Sequence, residues 1–314
     1  MKYLIVRLSF SSDVHFGDGI LESSASALPA DVLFSAVCCE LAESGREERI
    51  GALVSAARSG SLRLSDTFPY CGERLYLPRP FLQVRTGSDD GDSVKKKAFR
   101  KLRYIPLEQY GAYLEGRFTF EDCQKALEEA ADISGFDLYS QVSLRGEQPE
   151  PYSVGKVQFG RDCGLWFMTG AEDDAMLEEM KEIFLALGLS GIGGKRSAGC
   201  GGFTPEFREM PVELLKRLSC QEGAAVSLSV CLPKDEELES AMEGASYSVI
   251  KRSGFVYSGS YVATPRKKND LFVFSAGSCF RERFAGDVYD VSAGGAHPVY
   301  RYAVPLFMSV GGDI

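Results

Sequence analysis

Apolar and polar positions recur along the N-terminal two thirds of the chain with the periods of strands and helices. Apolar side chains alternate over residues 2–10 as in a strand, and they recur at helical spacing over 30–43. The same criteria predict helices over 120–131 and 173–187 and strands over 139–144, 154–159, 165–169 and 203–207. This order predicts an α+β fold with an antiparallel sheet, compatible with an embellished ferredoxin-like βαββαβ unit.

The pattern changes near residue 211, where short strands replace the mixed arrangement. Strands are predicted over 224–232, 247–252, 271–274 and 299–304, with another near Val288, and helical signal is weak after the acidic stretch 235–242. A chain of 314 residues is long enough for two domains. We therefore expect one domain over 1–208 and a second over 209–314.

The most distinctive motif is the run GLSGIGGKRSAGCGGF at residues 188–203, which places Lys195 and Arg196 among glycines. It matches neither a Walker A loop nor a dinucleotide-binding loop, because Leu189 and Arg196 occupy required glycine positions. It also follows a predicted helix and leads into a predicted strand, the reverse of both loops. Two cations amid exposed backbone N–H groups suit a phosphate backbone, and an ordinary glycine-rich turn is an equally open alternative.

A basic run, KKKAFRKLR at residues 95–103, stands out against the net charge of −9. It follows an acidic, turn-rich segment at 86–93 and predicts an exposed excursion carrying a short helix over 95–102. A solvated surface segment is the alternative. The overall negative charge argues against indiscriminate binding to polyanions but leaves room for a local basic patch.

The reactive residues exclude several classes of protein. The nine cysteines are scattered without a C-x-x-C pair, and His15 and His297 are the only histidines. We therefore expect free thiols and no metal site or other cofactor. No apolar run is long enough to cross a membrane, and the N-terminus lacks the features of a signal peptide. These features predict a cytoplasmic protein without membrane contacts.

Motifs spread along the chain resemble those of the RAMP superfamily, and in particular the fourth subunit of the type III-A CRISPR Csm effector complex. The motifs are His15-Phe16-Gly17, Leu77-Pro78-Arg79-Pro80, the lysines at 95–97, Pro151-Tyr152, the glycine-rich loop at 191–199, Lys251-Arg252-Ser253-Gly254-Phe255, and His297-Pro298-Val299-Tyr300-Arg301-Tyr302. The loop alone indicates the superfamily, and its combination with the two histidine motifs selects this subunit. The type III-B counterpart fits less well.

The resemblance implies two ferredoxin-like, RRM-like (RAMP) domains, the second of them degenerate, with a basic thumb inserted near 80–110. It implies a non-catalytic subunit that binds the repeat-derived 5′ handle of the crRNA. The implied protein partners are the large Cas polymerase-family subunit and the backbone RAMP subunit of the Csm complex. The residues expected to bind RNA are His15, Gly17, Lys95, Lys96, Lys97, Arg100, Lys101, Arg103, Tyr152, Gly191, Gly193, Gly194, Lys195, Arg196, Ser197, Gly199 and Arg252.

The residue chemistry agrees with this role. Single-stranded RNA is held by stacking bases on aromatic rings and by cradling phosphates with cations and backbone N–H groups. The stacking candidates are Tyr152, Phe255, Tyr257 and Tyr261, each with burial in the core as the alternative. An alternative function is a metal-independent crRNA-processing endoribonuclease that uses His15 as its acid–base group. The sequence offers no second catalytic group at a fixed spacing from His15.

Overall fold

The computed structural model describes residues 1–82, 93–143, 148–258, 260–262 and 264–311. The helices are α1 (Ala30–Glu43), α2 (Glu48–Ser59), α3 (Ser93–Lys101), α4 (Tyr110–Leu114), α5 (Phe120–Ile133), α6 (Asp174–Ser190), α7 (Val212–Ser219) and α8 (Leu238–Met242). The strands are β1 (Lys2–Phe10), β2 (Leu62–Leu64), β3 (Phe68–Cys71), β4 (Arg74–Pro78), β5 (Tyr104–Pro106), β6 (Ser134–Ser143), β7 (Glu150–Phe159), β8 (Cys163–Ala171), β9 (Phe203–Glu209), β10 (Ala225–Ser227), β11 (Val249–Arg252), β12 (Leu271–Phe274), β13 (Cys279–Phe280), β14 (Asp287–Asp290), β15 (Tyr300–Ala303) and β16 (Phe307–Ser309).

The largest sheet is antiparallel and has the strand order β5-β4-β3-β8-β1-β9, with β2 also paired to β8. Helix α1 connects β1 to β2, and α6 connects β8 to β9. The central strands therefore follow the connectivity of a βαββαβ unit, with the first strand lying between the third and the fourth. The predicted α+β fold with antiparallel sheets is confirmed.

Alternating side chains of the central strands bury both faces of this sheet. Val6 and Phe167 contribute to a core on the side of α1 and α6. Ile5 and Trp166, one position away, contribute to a second core on the opposite side. The two cores account for the consecutive buried residues at the centre of β1 and along β8, where side chains on both faces pack against other elements.

The C-terminal part forms three small antiparallel sheets, β13-β10-β16, β11-β12 and β14-β15. The predicted strand over 224–232 is shorter in the structure, because only Ala225–Ser227 is regular. The Ser227 hydroxyl donates to the carbonyl oxygen of Ser229 at 2.7 Å, a local bond that competes with regular strand pairing just beyond β10. The domain boundary and the ferredoxin-like character of this part stay predictions.

Several elements are longer than the sequence predicted, and others were missed. Helix α1 has the predicted bounds, whereas α6 extends to Ser190 and the β6–β7 hairpin begins at Ser134. Residue 144, the end of one predicted strand, lies outside the described residues. Helices α2 and α7 were not predicted.

The basic segment is partly described. Helix α3 confirms the predicted short basic helix, and Phe99 on it packs edge-on against Phe118 with ring centroids 6.3 Å apart. None of its residues is buried. The acidic, turn-rich segment that precedes it lies outside the described residues up to residue 92. The role of this region as a thumb stays a prediction.

The expectation that all thiols are free is wrong for two cysteines. Cys71 on β3 and Cys163 on β8 lie opposite each other in the strand register, with Cα atoms 4.1 Å apart, and they form a disulfide. The remaining seven cysteines are free. The sequence could not indicate the bond, because its partners are 92 residues apart and meet only in the folded sheet.

Among the described residues, no helix combines the length and the apolar character that a membrane crossing requires.

Candidate nucleic-acid interface

The glycine-rich loop begins where α6 ends, at Gly191, and it is fastened by backbone hydrogen bonds. The Ile192 N–H donates to the Gly201 carbonyl at 2.9 Å, which closes the loop on itself. The Gly201 N–H donates to the Asp13 carbonyl at 2.9 Å, and the Gly194 N–H donates to the His15 carbonyl at 2.8 Å. The loop therefore lies against residues 13–15 and has a defined shape.

Two of the glycines are required by this packing. Gly193 and Gly201 have φ values of 95° and 83°, in the region that side chains avoid. A Cβ on Gly193 would lie 2.8 Å from the His15 carbonyl oxygen, and one on Gly201 would lie 2.1 Å from the Ile192 carbonyl oxygen. Gly199 differs, because nothing lies within 4 Å of its Cβ position. The loop is thus tightly packed at Gly193 and Gly201 and has open space around Gly199.

Lys195 and Arg196 lie at the turn of the loop in different electrostatic settings. Lys195 has a left-handed backbone with φ 59°, and a single turn of 3-10 helix, Arg196–Ala198, follows it. The Lys195 ammonium makes no ion pair with any described residue, whereas an Arg196 Nη atom lies 3.1 Å from a Glu43 carboxylate oxygen at the end of α1. A ligand can therefore contact Lys195 without displacing an acid of the described chain, whereas at Arg196 it competes with Glu43.

Each loop cation rests on an aromatic ring. The Lys195 ammonium lies 5.1 Å from the centre of the Tyr152 ring, and the Arg196 guanidinium carbon lies 4.9 Å from the centre of the Tyr257 ring. The Tyr152 hydroxyl donates to the side-chain oxygen of Gln141 at 2.6 Å, which fixes the ring on the β6–β7 hairpin. The two tyrosines come from segments far apart in the sequence, and both lie at the loop.

A third pair extends the surface. Phe255 lies two residues before Tyr257, is 57% exposed, and has the Lys267 ammonium 5.8 Å from its ring centre. Tyr257 is 66% exposed, so both rings are open to a ligand. We call the set Tyr152, Lys195, Arg196, Tyr257, Phe255 and Lys267 the ring–cation row. Cations beside exposed aromatic rings suit the phosphates and bases of a single RNA strand.

One stacking candidate is excluded by burial. Tyr261 is 2% exposed and packs edge-on against His297, with ring centroids 5.1 Å apart. Its hydroxyl accepts the backbone N–H of Ala293 at 2.6 Å. The stacking role considered for Tyr261 is therefore wrong, and the residue belongs to a small C-terminal core.

His15 ties three segments together beneath the loop. It is 7% exposed, and its Nδ1 lies 2.7 Å from the Gly155 carbonyl oxygen, to which the ring N–H donates. Its ring also packs against the backbone of Gly194, where an added Cβ would come within 2.8 Å of the imidazole. An imidazole held in this way has little access to an RNA backbone, so the structure does not favour an endoribonuclease built on His15. The next motif residue, Gly17, is exposed.

Two cations of the basic segment, Arg100 on α3 and Arg103 just beyond it, border cavities rather than the loop. Arg100 and Arg103 line a cavity of about 310 Å³ whose wall also includes Asp66. Arg103 and Phe136 line a neighbouring cavity of about 540 Å³ along residues 24–27. The backbone of residue 25 pairs with Phe16, next to His15. A groove therefore leads from the basic helix toward the segment that supports the loop.

The predicted site residues thus fall into three groups. The residues at the loop, supported by His15, are Gly191, Gly193, Gly194, Lys195, Arg196, Ser197, Gly199 and Tyr152. Gly17 follows His15 closely in the chain and is exposed. Lys95, Lys96, Lys97, Arg100, Lys101 and Arg103 lie on or just beyond α3. Arg252 lies on β11, where its Nε donates to the Asp31 carboxylate at 3.0 Å. Binding of RNA by these residues stays a prediction.

Sequence reasoning missed the apolar face of the β6–β7 hairpin. Phe136, Leu138 and Val142 are each more than half exposed. They lie at alternate positions of β6 and so share one face. The alternation of apolar residues along β6 is visible in the sequence. Their exposure could not be predicted from it, because it depends on how the hairpin projects from the sheet. Among the described residues, no group of His, Cys, Asp or Glu is arranged to hold a metal ion.

Comparisons with known proteins agree with this architecture. Residues 221–310 match the model of the CRISPR Csm4 C-terminal domain. The chain is 37% identical over 311 residues to the CRISPR system Cms protein Csm4 of Mycobacterium tuberculosis, covering 99% of this chain and 98% of the relative. It is 32% identical over 322 residues to the protein of the same name from Streptococcus thermophilus, covering 99% of each.

Solved structures share the fold. The crystal structure of a Csm3-Csm4 subcomplex in the type III-A CRISPR-Cas interference complex matches with a TM-score of 0.69 and 16% identity, covering 98% of this chain and 99% of the other. A Csm1-Csm4 cassette in complex with AMPPNP matches with a TM-score of 0.64 and 19% identity, covering 99% and 98%. With sequence identity above 30% to curated relatives along its whole length, the chain belongs to the Csm4 family of CRISPR system proteins.

Proposed function

We propose that this protein is a non-catalytic subunit of a type III-A CRISPR-Cas interference complex that binds the repeat-derived 5′ handle of the crRNA. In this role it contacts the large Cas polymerase-family subunit and the backbone RAMP subunit and starts the backbone filament. Its site of action is the cytoplasm, where the crRNA is made. The structures of Csm1-Csm4 and Csm3-Csm4 assemblies, which share its fold, support the two protein contacts.

The ring–cation row is the observation that carries RNA binding. Each of its three cations lies beside an aromatic ring, so the row offers one RNA strand both partners for phosphates and surfaces for bases. Lys195 has no competing acid among the described residues, and Tyr257 and Phe255 are more than half exposed. The row occupies a small part of a protein whose net charge is −9. Because the rest of the surface repels polyanions, we expect binding of one RNA segment rather than general affinity for nucleic acid.

The direct test is co-expression of the chain with its genomic neighbours and a CRISPR array, followed by affinity purification and sequencing of the bound RNA. We expect a multi-subunit complex that carries mature crRNA. A matched preparation with His15→Ala tests the enzymatic alternative, and we expect the same RNA length in both. Recovery of the chain alone, with cleavage of repeat RNA that His15→Ala abolishes, would overturn the proposal.

A further inference from the structure

Phe255 and Tyr257, two rings of the ring–cation row, lie on one short segment of the C-terminal part. The start of this segment is paired with another stretch of chain. Phe255 forms an antiparallel bridge with Lys267. The Val256 N–H donates to the Arg266 carbonyl oxygen at 2.9 Å. Among the residues that the structure describes, this pairing ends at Val256, so a different contact fixes the chain at Tyr257.

His297 provides that contact through the residue that follows Tyr257. The Ser258 hydroxyl oxygen lies 2.9 Å from Nε2 of His297, and Nδ1 of the same ring lies 2.9 Å from the Pro298 carbonyl oxygen. A carbonyl oxygen only accepts hydrogen bonds, so Nδ1 carries the proton and Nε2 of the neutral ring accepts from the Ser258 hydroxyl. Ser258 and His297 are both half-buried, which partly shields their bond from water.

Tyr261 anchors the loop that carries His297. The Ala296 N–H donates to the Tyr261 carbonyl oxygen at 3.1 Å. A Cβ on Gly295 would lie 2.1 Å from the Tyr261 ring, so the backbone of the loop is in direct contact with that ring. Tyr261 also belongs to a small buried cluster with two valines of the C-terminal part. The imidazole is therefore presented to Ser258 from a packed support.

The Ser258–His297 pair resembles the nucleophile and base of a hydrolase, but its third member does not fit that chemistry. A hydrolase histidine donates from Nδ1 to a carboxylate, which stabilises the imidazolium that forms during the reaction. Here Nδ1 faces the neutral Pro298 carbonyl, and no acid within the described part of the chain bonds to the ring. The pair is therefore suited to holding two segments together rather than to activating the serine.

Tyr257 needs such a support because its ring is open to solvent. The residue is 66% exposed, and its ring lies against Arg196, with 4.9 Å between the guanidinium carbon and the ring centre. On the other side, the Cys39 thiol lies 4.0 Å from the Tyr257 carbonyl oxygen, a weak contact because sulfur is a weak donor. The bond between His297 and Ser258 fixes the backbone next to the ring before RNA arrives.

We propose that His297 is a positioning residue of the RNA interface, which holds the Tyr257 ring beside Arg196 through its bond to Ser258. His297 itself does not touch the RNA. A ring whose backbone is fixed in advance loses less conformational entropy when a base stacks on it, so the affinity is higher. The inference rests on the proposed function and gives a role to the histidine of the C-terminal motif.

The test is a double-mutant cycle between Ser258→Ala and Tyr257→Ala in the full-length protein. Binding of a fluorescein-labelled single-stranded RNA with the 5′ handle sequence is titrated by anisotropy. We expect Tyr257→Ala to bind about tenfold more weakly, because a stacked base is lost. Ser258→Ala should bind about threefold more weakly than the wild type, and adding it to Tyr257→Ala should cause no further loss.

Ser240→Ala is the matched control for this cycle. Its hydroxyl donates to the Glu237 carbonyl oxygen at 3.1 Å, within the acidic stretch 235–242, so its loss should leave RNA binding unchanged. His297→Ala should reproduce the loss seen in Ser258→Ala. His297→Gln keeps a side-chain oxygen that can accept the Ser258 hydroxyl, and its affinity should stay close to that of the wild type.

The outcomes separate positioning from general stability. Thermal unfolding confirms that each variant is folded at the temperature of the titration, and the Ser258→Ala cycle alone decides the matter if His297→Ala is not. An unchanged affinity of Ser258→Ala, or an equal loss from it with and without the Tyr257 ring, would overturn the proposal. An unchanged affinity of Tyr257→Ala would remove that ring from the ring–cation row and overturn it as well. Absence of RNA binding by the wild-type protein would refute the proposed function itself.

Discussion

Replacing Lys195 and Arg196 together by glutamine should remove charge from the glycine-rich loop with little effect on its fold. Lys195 makes no ion pair with a described residue, and the Arg196–Glu43 pair is half exposed on its acidic side, so its loss should cost no more than about 1 kcal/mol. Glutamine keeps much of the side-chain length over Tyr152 and Tyr257. The variant therefore tests charge rather than structure.

The magnitude follows from counting phosphates. Each phosphate contact on a single strand contributes about 0.7 to the slope of log affinity against log salt, so two full contacts would contribute about 1.4. Glu43 already neutralises part of the Arg196 charge from 3.1 Å. We therefore expect the double variant to lose between about 0.7 and 1.4 of the slope, with Lys195 contributing the larger share.

The assay is an anisotropy titration with labelled single-stranded RNA over a series of salt concentrations, with thermal unfolding followed in parallel. Arg161→Gln is the matched control, because its side chain is 96% exposed and lies outside the loop. An unchanged slope in a double variant that melts like the wild type would refute RNA binding at the loop. An equal loss from Arg161→Gln would show that only the total charge matters.

Four further substitutions test other parts of the account. Glu43→Gln frees the loop arginine from its ion pair and should strengthen RNA binding by up to about fivefold in the same titration; weaker binding would contradict the assignment. Burial raises the pKa of Asp66 from 3.8 to about 7, so the native state keeps a proton that the unfolded chain releases and stability falls as pH rises through this window. Asp66→Asn keeps an oxygen for the two backbone N–H groups, and its free energy of unfolding should exceed that of the wild type increasingly as pH rises from 3.8 to about 7, by an amount with an upper limit on the order of 4 kcal/mol; a difference independent of pH in denaturant unfolding would refute the shift. Gly201→Ala should destabilise the protein by roughly 3 kcal/mol in denaturant unfolding, because its Cβ would meet the Ile192 carbonyl oxygen at 2.1 Å, whereas Gly199→Ala meets open space and should cost about 1 to 2 kcal/mol.

The sequence predicts the helices and strands that carry strong periodicity. Helix α1 has the expected bounds because Leu33, Phe34, Val37 and Leu41 form one buried stripe. Helix α2 carries a comparable spacing in Leu53, Val54 and Ala57. Its other residues are mostly polar or small, so the helical periodicity of apolar residues is weak. The long β6–β7 hairpin exceeded its predicted length because backbone pairing, rather than burial, sustains its exposed half.

The candidate site could also be predicted only in part, because some of its residues are adjacent in the sequence and others are far apart. The glycines and the Lys195-Arg196 pair are adjacent in sequence, so their loop could be found without a structure. The electrostatic surroundings of each cation are set by Tyr152, Tyr257 and Glu43. These residues come from distant segments and reach the loop only through tertiary packing. Burial likewise separates Tyr261 from the exposed rings, although its sequence context resembles theirs.

Cross-linking in the assembled complex tests the central claim most directly. A crRNA carrying 4-thiouridine in its 5′ handle is incorporated into the co-expressed complex and irradiated, and the cross-linked peptides of this chain are identified by mass spectrometry. The account predicts cross-links from handle nucleotides to the loop at 191–199 and to the segments that carry Tyr152 and Tyr257. Cross-links confined to other surfaces of this chain, or to its partners alone, would contradict it.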